Sequence, residues 1–477
     1  MLEAAKRVHI RGADHMDVCG PALILHDRGV ELTATAGQHN SSVEALEEIG
    51  VEVSMGIEPE LASMADAVVT SAAVASDDAE IDSARQANVS VMSTTKALAD
   101  LVSGHRVLGV MGTHGRATVS SMVAWILERA GWKPGFVLSA HSNNLARRAR
   151  DTGGDWFVLE LDHKLVSQRA IPCDYVVCNF LESDGPQGTE VHRKLRRSMR
   201  AYLESNRRLK ESFINLDCLE NRRLVEELAM RPTGYALEHR AEFRGKLSEG
   251  IEDKLRFCAA HRDRQLGELT VGIPGAYNAV NALGATAAAL RLGIDRGVIT
   301  ESLASYNGLE NRYTVARGGG VTFVKDLAES ASTIQNVVDT AKGDGDGRLV
   351  SILEARVARA AMAPDELAEM MSCCDTVILI VDEDGQAAGI EGGMTGYGDA
   401  LQRQGVEFDL LDADEMIERM GRRVHPGDTI LFFGTDTFLR NADHLRARLA
   451  AQAAQTPAEK EQPRLDGPLI DGDPDDE

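Results

Sequence analysis

HRVLGVMGTHGRATVSSMVAWILERA, residues 105–130, is predicted to form a strand, a glycine turn and a helix in direct succession. The apolar run Val107–Met111 predicts a buried strand, and a helix is predicted from Arg116 onward. The apolar positions of that helix recur at helical spacing, at Met122, Val123, Ile126 and Leu127. The turn between them is Gly112-Thr113-His114-Gly115. Glycines let backbone N–H groups approach an anion and a helix N-terminus favours negative charge, so this order predicts a phosphate-binding loop. A plain connection in a parallel α/β unit is the alternative.

The residues after the turn differ from those of a P-loop. A P-loop carries Lys and then Ser or Thr, because the ammonium contacts phosphates and the hydroxyl binds Mg²⁺. Here the two positions are Arg116 and Ala117. A guanidinium keeps the positive charge but is planar and bulkier than an ammonium. Thr118 carries the next hydroxyl, roughly 100° further round the helix, and is the candidate substitute ligand for the metal.

Length and charge restrict the classes of function. A chain of 477 residues is too long for one core; at this length we expect about three domains. With 51 basic and 74 acidic side chains the net charge is −23. Such a surface repels nucleic acid and anionic membranes, so we expect neither as a partner. The sequence makes no prediction about oligomeric state.

The cysteines indicate a reducing compartment. There are seven, an odd number, and none has the C-x-x-C spacing. They lie in or near apolar segments, and we interpret the adjacent pair Cys373 and Cys374 as the edge of a core strand. No signal peptide is recognisable, and no apolar run approaches the roughly 18 residues of a membrane span. Together these features predict a cytoplasmic protein.

Strands and helices alternate along most of the chain, which predicts an α/β fold with parallel sheets. We expect a Rossmann-like N-terminal domain, a central P-loop domain of ATPase type, a Rossmann-like C-terminal domain and a disordered acidic tail. The predicted boundaries are 1–104, 105–308, 309–453 and 454–477. Within the central domain, 243–269 is predicted as a hairpin or meander. In the N-terminal domain Gly12 stands where a dinucleotide fingerprint has three spaced glycines, so a purely structural turn is the alternative there.

Polar residues in the central domain are candidates for the site. Glu160 and Asp162 stand at the end of the predicted strand 156–162, where P-loop proteins place carboxylates that bind Mg²⁺. Two solvated loop acids are the alternative. Asn278 and Asn281 lie three apart in the first turn of a predicted helix and could hydrogen-bond a purine edge. Alternatively, Asn278 only caps the helix.

Together these features resemble the Mur ligases over residues 7–453. The matching residues are Gly112 to Gly115, Glu160, Asn179, Pro274-Gly275 with Asn278 and Asn281, and Gly308 with Arg312. Ser71 to Val74, followed by Asp78 and Glu80, is similar to the family's substrate-binding loop in the first domain.

The resemblance implies an ATP-dependent ligase that joins an amino acid, of the L-alanine type, to the carboxylate of UDP-N-acetylmuramate in peptidoglycan precursor synthesis. In the family the carboxylate attacks the γ-phosphate of ATP, and the amine then attacks the resulting acyl phosphate. The implied binding residues for ATP are Gly112, Thr113, His114, Gly115, Arg116, Thr118, Asn278, Asn281, Arg312 and Asp326. Arg116 and Glu160 are the implied catalytic residues, and Glu160 and Thr118 are the expected Mg²⁺ ligands.

Several departures from the family pattern lie at the expected chemistry. The family's metal-binding His after the Asn179 strand is absent, and Glu182 to Gly185 offers only carboxylates. Tyr277 replaces a His, and Lys325 to Ala331 departs from the family's third-domain signature. The alternative function is therefore a catalytically impaired paralogue, which binds nucleotide or a partner protein without turnover.

Overall fold

The computed structural model describes residues 2–181, 188–248, 254–327, 330–342, 347–381 and 391–455. Three sheets follow one another along the chain, and helices connect most of their strands. The predicted α/β class is confirmed. Among the described residues no helix is both long enough and apolar enough to cross a membrane.

The first sheet has five parallel strands in the order β3-β2-β1-β4-β5. The strands are β1 (Arg7–Arg11), β2 (Glu31–Ala36), β3 (Val53–Met55), β4 (Ala67–Thr70) and β5 (Ser90–Ser93). A 3-10 turn (Leu2–Ala4) precedes them, and the helices are α1 (Met16–Asp27), α2 (Ser41–Glu47), α3 (Pro59–Met64), α4 (Ala79–Gln86) and α5 (Thr94–Leu101). Gly12 has a φ of +82°, and a Cβ there would lie 2.8 Å from Val74 Cγ2. This crowding within the protein favours the structural interpretation of its turn.

The second sheet has ten strands in the order β15-β14-β13-β12-β11-β10-β6-β9-β7-β8. The strands are β6 (Arg106–Met111), β7 (Gly135–Ser142), β8 (Arg147–Arg150), β9 (Trp156–Glu160), β10 (Tyr175–Cys178), β11 (Glu211–Asn215), β12 (Thr233–Ala236), β13 (Phe243–Leu247), β14 (Leu255–His261) and β15 (Arg264–Val271). The helices are α6 (Arg116–Arg129), α7 (His163–Gln168), α8 (Gly188–Ser205), α9 (Leu219–Glu227), α10 (Tyr277–Leu292) and α11 (Arg296–Ala304). Antiparallel pairing of β13, β14 and β15 forms the expected meander.

The third sheet has six strands in the order β16-β17-β21-β18-β19-β20, all parallel except β16. The strands are β16 (Thr314–Gly318), β17 (Val321–Asp326), β18 (Leu349–Glu354), β19 (Thr376–Ile380), β20 (Glu407–Leu411) and β21 (Thr429–Phe433). The helices are α12 (Ala331–Ala341), α13 (Ala355–Ala361), α14 (Pro364–Met370), α15 (Glu391–Arg403), α16 (Ala413–Arg423) and α17 (Asp436–Gln455). Helix α17 includes the first two residues of the expected tail, and 456–477 lie outside the described residues. The domain boundaries given above stay predictions.

Apolar side chains alternate between the two faces of the larger sheets along the central strands. Each of these sheets therefore has one apolar layer on either face. In β6, Val107 and Met111 belong to a cluster shared with the first sheet, whereas Leu108 and Val110 pack into another with α6 and α10. In β21 the same alternation divides Ile430 and Phe432 from their neighbours. Since successive side chains of a strand point to opposite faces, both sheets are buried on two sides. The carboxyl ends of the strands are therefore the place for a site.

Polar contacts connect the units that the three sheets form. Between α1 and the second sheet, Arg147 Nη1 lies 2.9 Å from Asp27 Oδ1. Between α2 and α17, Arg440 Nη2 lies 3.0 Å from Glu44 Oε1, and Ser41 donates a hydrogen bond to an Asp436 oxygen at 3.3 Å. These contacts bring the first and third units together beside the second.

Asp174 joins three strands of the second sheet at their amino ends. Its Oδ2 accepts hydrogen bonds from the Val107 N–H (3.0 Å) and from Arg208 Nη2 (2.6 Å), and Lys210 Nζ lies 3.3 Å from its Oδ1. Burial alone would raise the pKa of Asp174, but the Val107 hydrogen bond and the charge of Arg208 outweigh it and hold the pKa below its usual value. The ionised carboxylate therefore stabilises the fold.

We expect Asp174→Asn to lower the free energy of unfolding at neutral pH by about 1–3 kcal/mol, since it weakens charge-assisted hydrogen bonds. A carboxyl with a lowered folded-state pKa stabilises above its unfolded pKa of about 3.9, and this contribution is lost as pH falls further. Urea unfolding across pH should thus show the two proteins converging below about pH 4. Asp82→Asn, in an exposed pair with Arg85, is the control and should change little. A difference between wild type and Asp174→Asn that is independent of pH would contradict the prediction.

Candidate active site

The predicted phosphate loop lies at the carboxyl end of β6, near the middle of the second sheet. Gly115 precedes α6 with a φ of +72°, and a Cβ there would lie 2.2 Å from Asn179 Nδ2. Gly112 has a φ of +142°, and a Cβ there would lie 2.6 Å from the Phe180 carbonyl oxygen. Both glycines are thus required by close packing against the segment that follows β10. This packing sets the direction in which α6 starts.

The amino end of α6 opens into a cavity of about 210 Å³ that the second and third sheets share. Ten of the eleven expected site residues line it: Thr113, His114, Gly115, Arg116, Thr118, Glu160, Asn278, Asn281, Arg312 and Asp326. Gly112 is not among the lining residues; its carbonyl accepts a hydrogen bond from Arg116 Nη1 at 2.6 Å. Four further polar residues, which have no ligand signal in the sequence, also line the cavity: Ser139, Tyr277, Thr333 and Asn336. The fold therefore brings the candidate residues together, and their binding roles stay predictions.

The buried side-chain amide of Asn179 supports the phosphate loop through hydrogen bonds. Asn179 Nδ2 donates to the His114 carbonyl oxygen (3.1 Å) and to Asn281 Oδ1 (2.7 Å). Its own Oδ1 accepts a hydrogen bond from the Tyr235 hydroxyl at 3.0 Å. The Asn179 side chain has no exposed surface. Because every amide in this network is oriented by another group, the network restrains the loop.

The two asparagines of α10 continue this network. Asn281 Nδ2 donates to Asn278 Oδ1 at 3.0 Å, and Asn278 Nδ2 donates to the Pro274 carbonyl oxygen at 2.5 Å. Ala276 is the residue that precedes the helix, and Asn278 lies inside the first turn. The alternative that Asn278 caps the helix is therefore wrong. The purine contact stays a prediction, and these bonds show an additional role in fixing the loop.

Arg116 and Glu160 form an ion pair on the cavity wall. Arg116 Nε lies 3.2 Å from Glu160 Oε1, and the other carboxylate oxygen accepts a hydrogen bond from the Ser139 N–H at 2.9 Å. The pairing follows from topology, because β6 and β9 are adjacent and parallel with Val110 opposite Glu160. The Glu160 side chain is 7% exposed and that of Arg116 is 24% exposed. Arg116 is expected to contact phosphate and Glu160 to contact Mg²⁺, but in the structure the two side chains contact each other.

The donor set of the described residues does not fit a protein-held Mg²⁺ ion. Both oxygens of Glu160 are engaged, and Ala117 offers no hydroxyl. Asp162 caps α7 by accepting a hydrogen bond from the Leu165 N–H at 2.7 Å, which agrees with a structural role. No group of three or more His, Cys, Asp or Glu among the described residues is placed to hold a metal. Glu182 and Asp184 lie outside those residues, and these contacts lend no support to the predicted metal binding by Glu160 and Thr118.

The third sheet supplies the far wall of the cavity. Asp326 ends β17, and its Oδ2 accepts a hydrogen bond from the Tyr313 N–H at 2.8 Å. Arg312 Nη1 donates to the Leu327 carbonyl oxygen at 2.5 Å. Burial raises the pKa of the neighbouring Tyr277 hydroxyl well above its usual value, and the Asp326 charge adds to this shift. Tyr277 is therefore a neutral hydrogen-bonding group in the site.

A second cavity of about 290 Å³ lies between α1, α5 and the second sheet. It shares three lining residues with the first cavity, namely Arg116, Ser139 and Glu160. Arg148 and Lys164 line it as well, together with apolar side chains such as Leu98 and Val137. The Arg116–Glu160 pair thus stands at the place where the two cavities meet.

Two protein-family models match the part of the chain that forms most of the first two sheets. The model described as Mur ligase family, catalytic domain, matches residues 7–106, and the Mur ligase middle domain matches residues 110–289. The chain belongs to the Mur ligase family. This family membership confirms the resemblance drawn from the loop and strand-end residues.

Curated Mur ligases match along almost their whole length. UDP-N-acetylmuramate–L-alanine ligase of Geobacter sp. (strain M21) is 27% identical over 461 residues, covering 94% of this chain and 99% of the relative. The enzyme of the same name from Methylococcus capsulatus (strain ATCC 33009 / NCIMB 11132 / Bath) is 26% identical over 476 residues, covering 95% and 98%.

Solved Mur ligase structures share the fold. UDP-N-acetylmuramate-alanine ligase from Thermotoga maritima has a TM-score of 0.79 at 18% identity, covering 94% of this chain and 99% of that one. A murein peptide ligase from Psychrobacter arcticus 273-4 has a TM-score of 0.66 at 19% identity, covering 93% and 99%. At these identities the likeness concerns the fold alone.

Proposed function

We propose that this protein is an ATP-dependent ligase that joins an amino acid of the L-alanine type to the carboxylate of UDP-N-acetylmuramate, in peptidoglycan precursor synthesis. The names of relatives that match over nine-tenths of both chains support this function. The structural observation that supports this function most strongly is the cavity at the start of α6. The positively charged side chain of Arg116 lines this cavity together with candidate residues from the second and third units. We further propose a cytoplasmic location, with no nucleic acid or membrane as partner.

The reaction proceeds in two steps. A carboxylate oxygen of the sugar substrate attacks the γ-phosphorus of ATP, which gives an acyl phosphate and releases ADP. The amine of the amino acid then attacks the acyl carbon, which gives an amide and releases phosphate and a proton. Both steps bring anions together, so their barriers depend on fixed positive charge at the phosphates.

In this chain the charge comes from the amino end of α6 and from Arg116 beside it. Asn278 and Asn281 are proposed to contact the adenine, and Arg312 and Asp326 to contact the nucleotide from the third sheet. We assign the second cavity to the carboxylate substrate, because it reaches the first at Arg116. No step is assigned to Mg²⁺, since the described donor set does not fit it.

The alternative function, a catalytically impaired paralogue, is not favoured. The relatives that align end to end with this chain are named as ligases. The departures at Ala117 and Tyr277 alter individual contacts, but the cavity and the positively charged side chain of Arg116 remain in place.

Release of phosphate and ADP tests the proposed function. With ATP, MgCl₂, UDP-N-acetylmuramate and L-alanine, we expect turnover that requires both the sugar nucleotide and the amino acid. Arg116→Ala should lower turnover by about 10²–10³-fold, the usual effect of removing one group that stabilises transition-state charge. Arg129→Ala, at the other end of α6 and exposed, is the matched control and should retain activity. ATP binding without ADP release under any combination of substrates would refute the ligase and favour the alternative.

A further inference from the structure

The guanidinium of Arg116 is fixed at two points. Nη1 donates to the Gly112 carbonyl oxygen at 2.6 Å, and Nε lies 3.2 Å from Glu160 Oε1. One contact lies on the loop that starts α6 and the other at the end of β9. A planar group held at two edges has little rotational freedom, so its charge occupies one position at the mouth of the loop.

Each carboxylate oxygen of Glu160 has a partner in the protein. Its Oε1 faces Arg116 and its Oε2 accepts the Ser139 N–H hydrogen bond at 2.9 Å. A Mg²⁺ ion needs oxygen ligands in near-octahedral geometry and is reluctant to lose its waters. An ion bound to Glu160 would have to compete with the guanidinium for a carboxylate that is only 7% exposed.

The hydroxyl that would complete a protein-held metal site is missing from its position. Ala117 follows Arg116, and Thr118 is turned roughly 100° away along α6. Arg116 and Ala117 both disfavour a metal ion held by protein side chains. Arg116 places a fixed positive charge at the Glu160 carboxylate, and Ala117 lacks the hydroxyl that would bind the metal.

We propose that Arg116, held by Glu160 and Gly112, supplies the fixed positive charge at the phosphates in place of a divalent cation held by protein side chains. This inference rests on the proposed function, because it assumes that the cavity binds ATP. Glu160 is then a positioning residue for Arg116. Any magnesium reaches the site on the phosphates of the nucleotide, and binding of ATP depends only weakly on it.

Calorimetric titration with ATP, in MgCl₂ or in EDTA, tests this proposal. For the wild type we expect dissociation constants that differ by less than about threefold between the buffers. Glu160→Gln should change the ATP affinity by the same factor in MgCl₂ and in EDTA, because Glu160 then acts through the Arg116 guanidinium and not through a metal ion. Glu128→Gln, which changes a carboxylate paired with Arg150 near the far end of α6, is the matched control.

Two results would overturn the proposal while leaving the proposed function intact. One is ATP binding by the wild type that requires MgCl₂. The other is a loss of affinity in Glu160→Gln of about tenfold or more that is confined to MgCl₂ buffer. Absence of ATP binding in either buffer would instead refute the proposed function. Electron paramagnetic resonance with Mn²⁺ alone gives an independent measurement: we expect no stoichiometric site in the nucleotide-free protein, and a site abolished by Glu160→Gln would overturn the proposal.

Discussion

Gly115→Ala is expected to weaken ATP binding by about tenfold or more and to lower the free energy of unfolding by about 1–3 kcal/mol. The added Cβ would lie 2.2 Å from Asn179 Nδ2 and 2.5 Å from Asn281 Oδ1, both buried amides. The loop would have to move away from them, and the start of α6 would move with it. Calorimetry with ATP and urea unfolding measure the two effects.

The control is Gly131→Ala at the other end of the same helix. Gly131 has a φ of +80°, close to the +72° of Gly115, and no atom lies within 4 Å of its hypothetical Cβ. It therefore carries the same backbone strain without the collision. We expect it to lower stability by about 1 kcal/mol and to leave ATP affinity unchanged. Equal effects of the two variants on ATP affinity would show that the packing against the amides is unimportant.

Asn179→Ala is expected to lower the free energy of unfolding by about 2–4 kcal/mol, since it removes three hydrogen bonds inside a fully buried network. The Asn281 side-chain oxygen and the His114 carbonyl would both lose their Asn179 donor. The Tyr235 hydroxyl would keep its alternative acceptor, the Cys178 carbonyl oxygen at 3.1 Å. Urea unfolding followed by circular dichroism measures the loss.

Asn143→Ala is the matched control for this variant. Asn143 is exposed, and its amide donates to the Asn307 carbonyl oxygen at 2.9 Å. Water replaces an exposed bond of this kind, so the expected change is below about 0.5 kcal/mol. Similar losses for Asn143→Ala and Asn179→Ala would contradict a special contribution of the buried network.

The strands that contact the site could be predicted closely. The apolar run before Gly112 and the helix after Gly115 correspond to β6 and α6, because a strand, a glycine turn and an amphipathic helix are each determined locally. The short strand β3 (Val53–Met55) has a weaker sequence signal. It is an edge strand of three residues, so few apolar positions were available to place it.

The partners of the site residues could not be predicted in the same way. Arg116 and Glu160 are 44 residues apart, and their contact depends on which strands become neighbours in the sheet. The Ser139 contact uses a backbone N–H and so has no sequence signal. The sequence places Asn179 at the end of its strand, but the role of Asn179 in orienting Asn281 depends on the packing of α10 against β10. In the sequence Tyr277 is recognisable only as a replacement for a His.

The contact between α2 and α17 depends on exposed charged side chains. Arg440 and Glu44 are 57% and 39% exposed, and an exposed ion pair of this kind stabilises by only about 0–1 kcal/mol. This ion pair therefore contributes little to holding the first and third units together. Added salt should weaken it further, because at physiological salt charges are screened over about 8 Å.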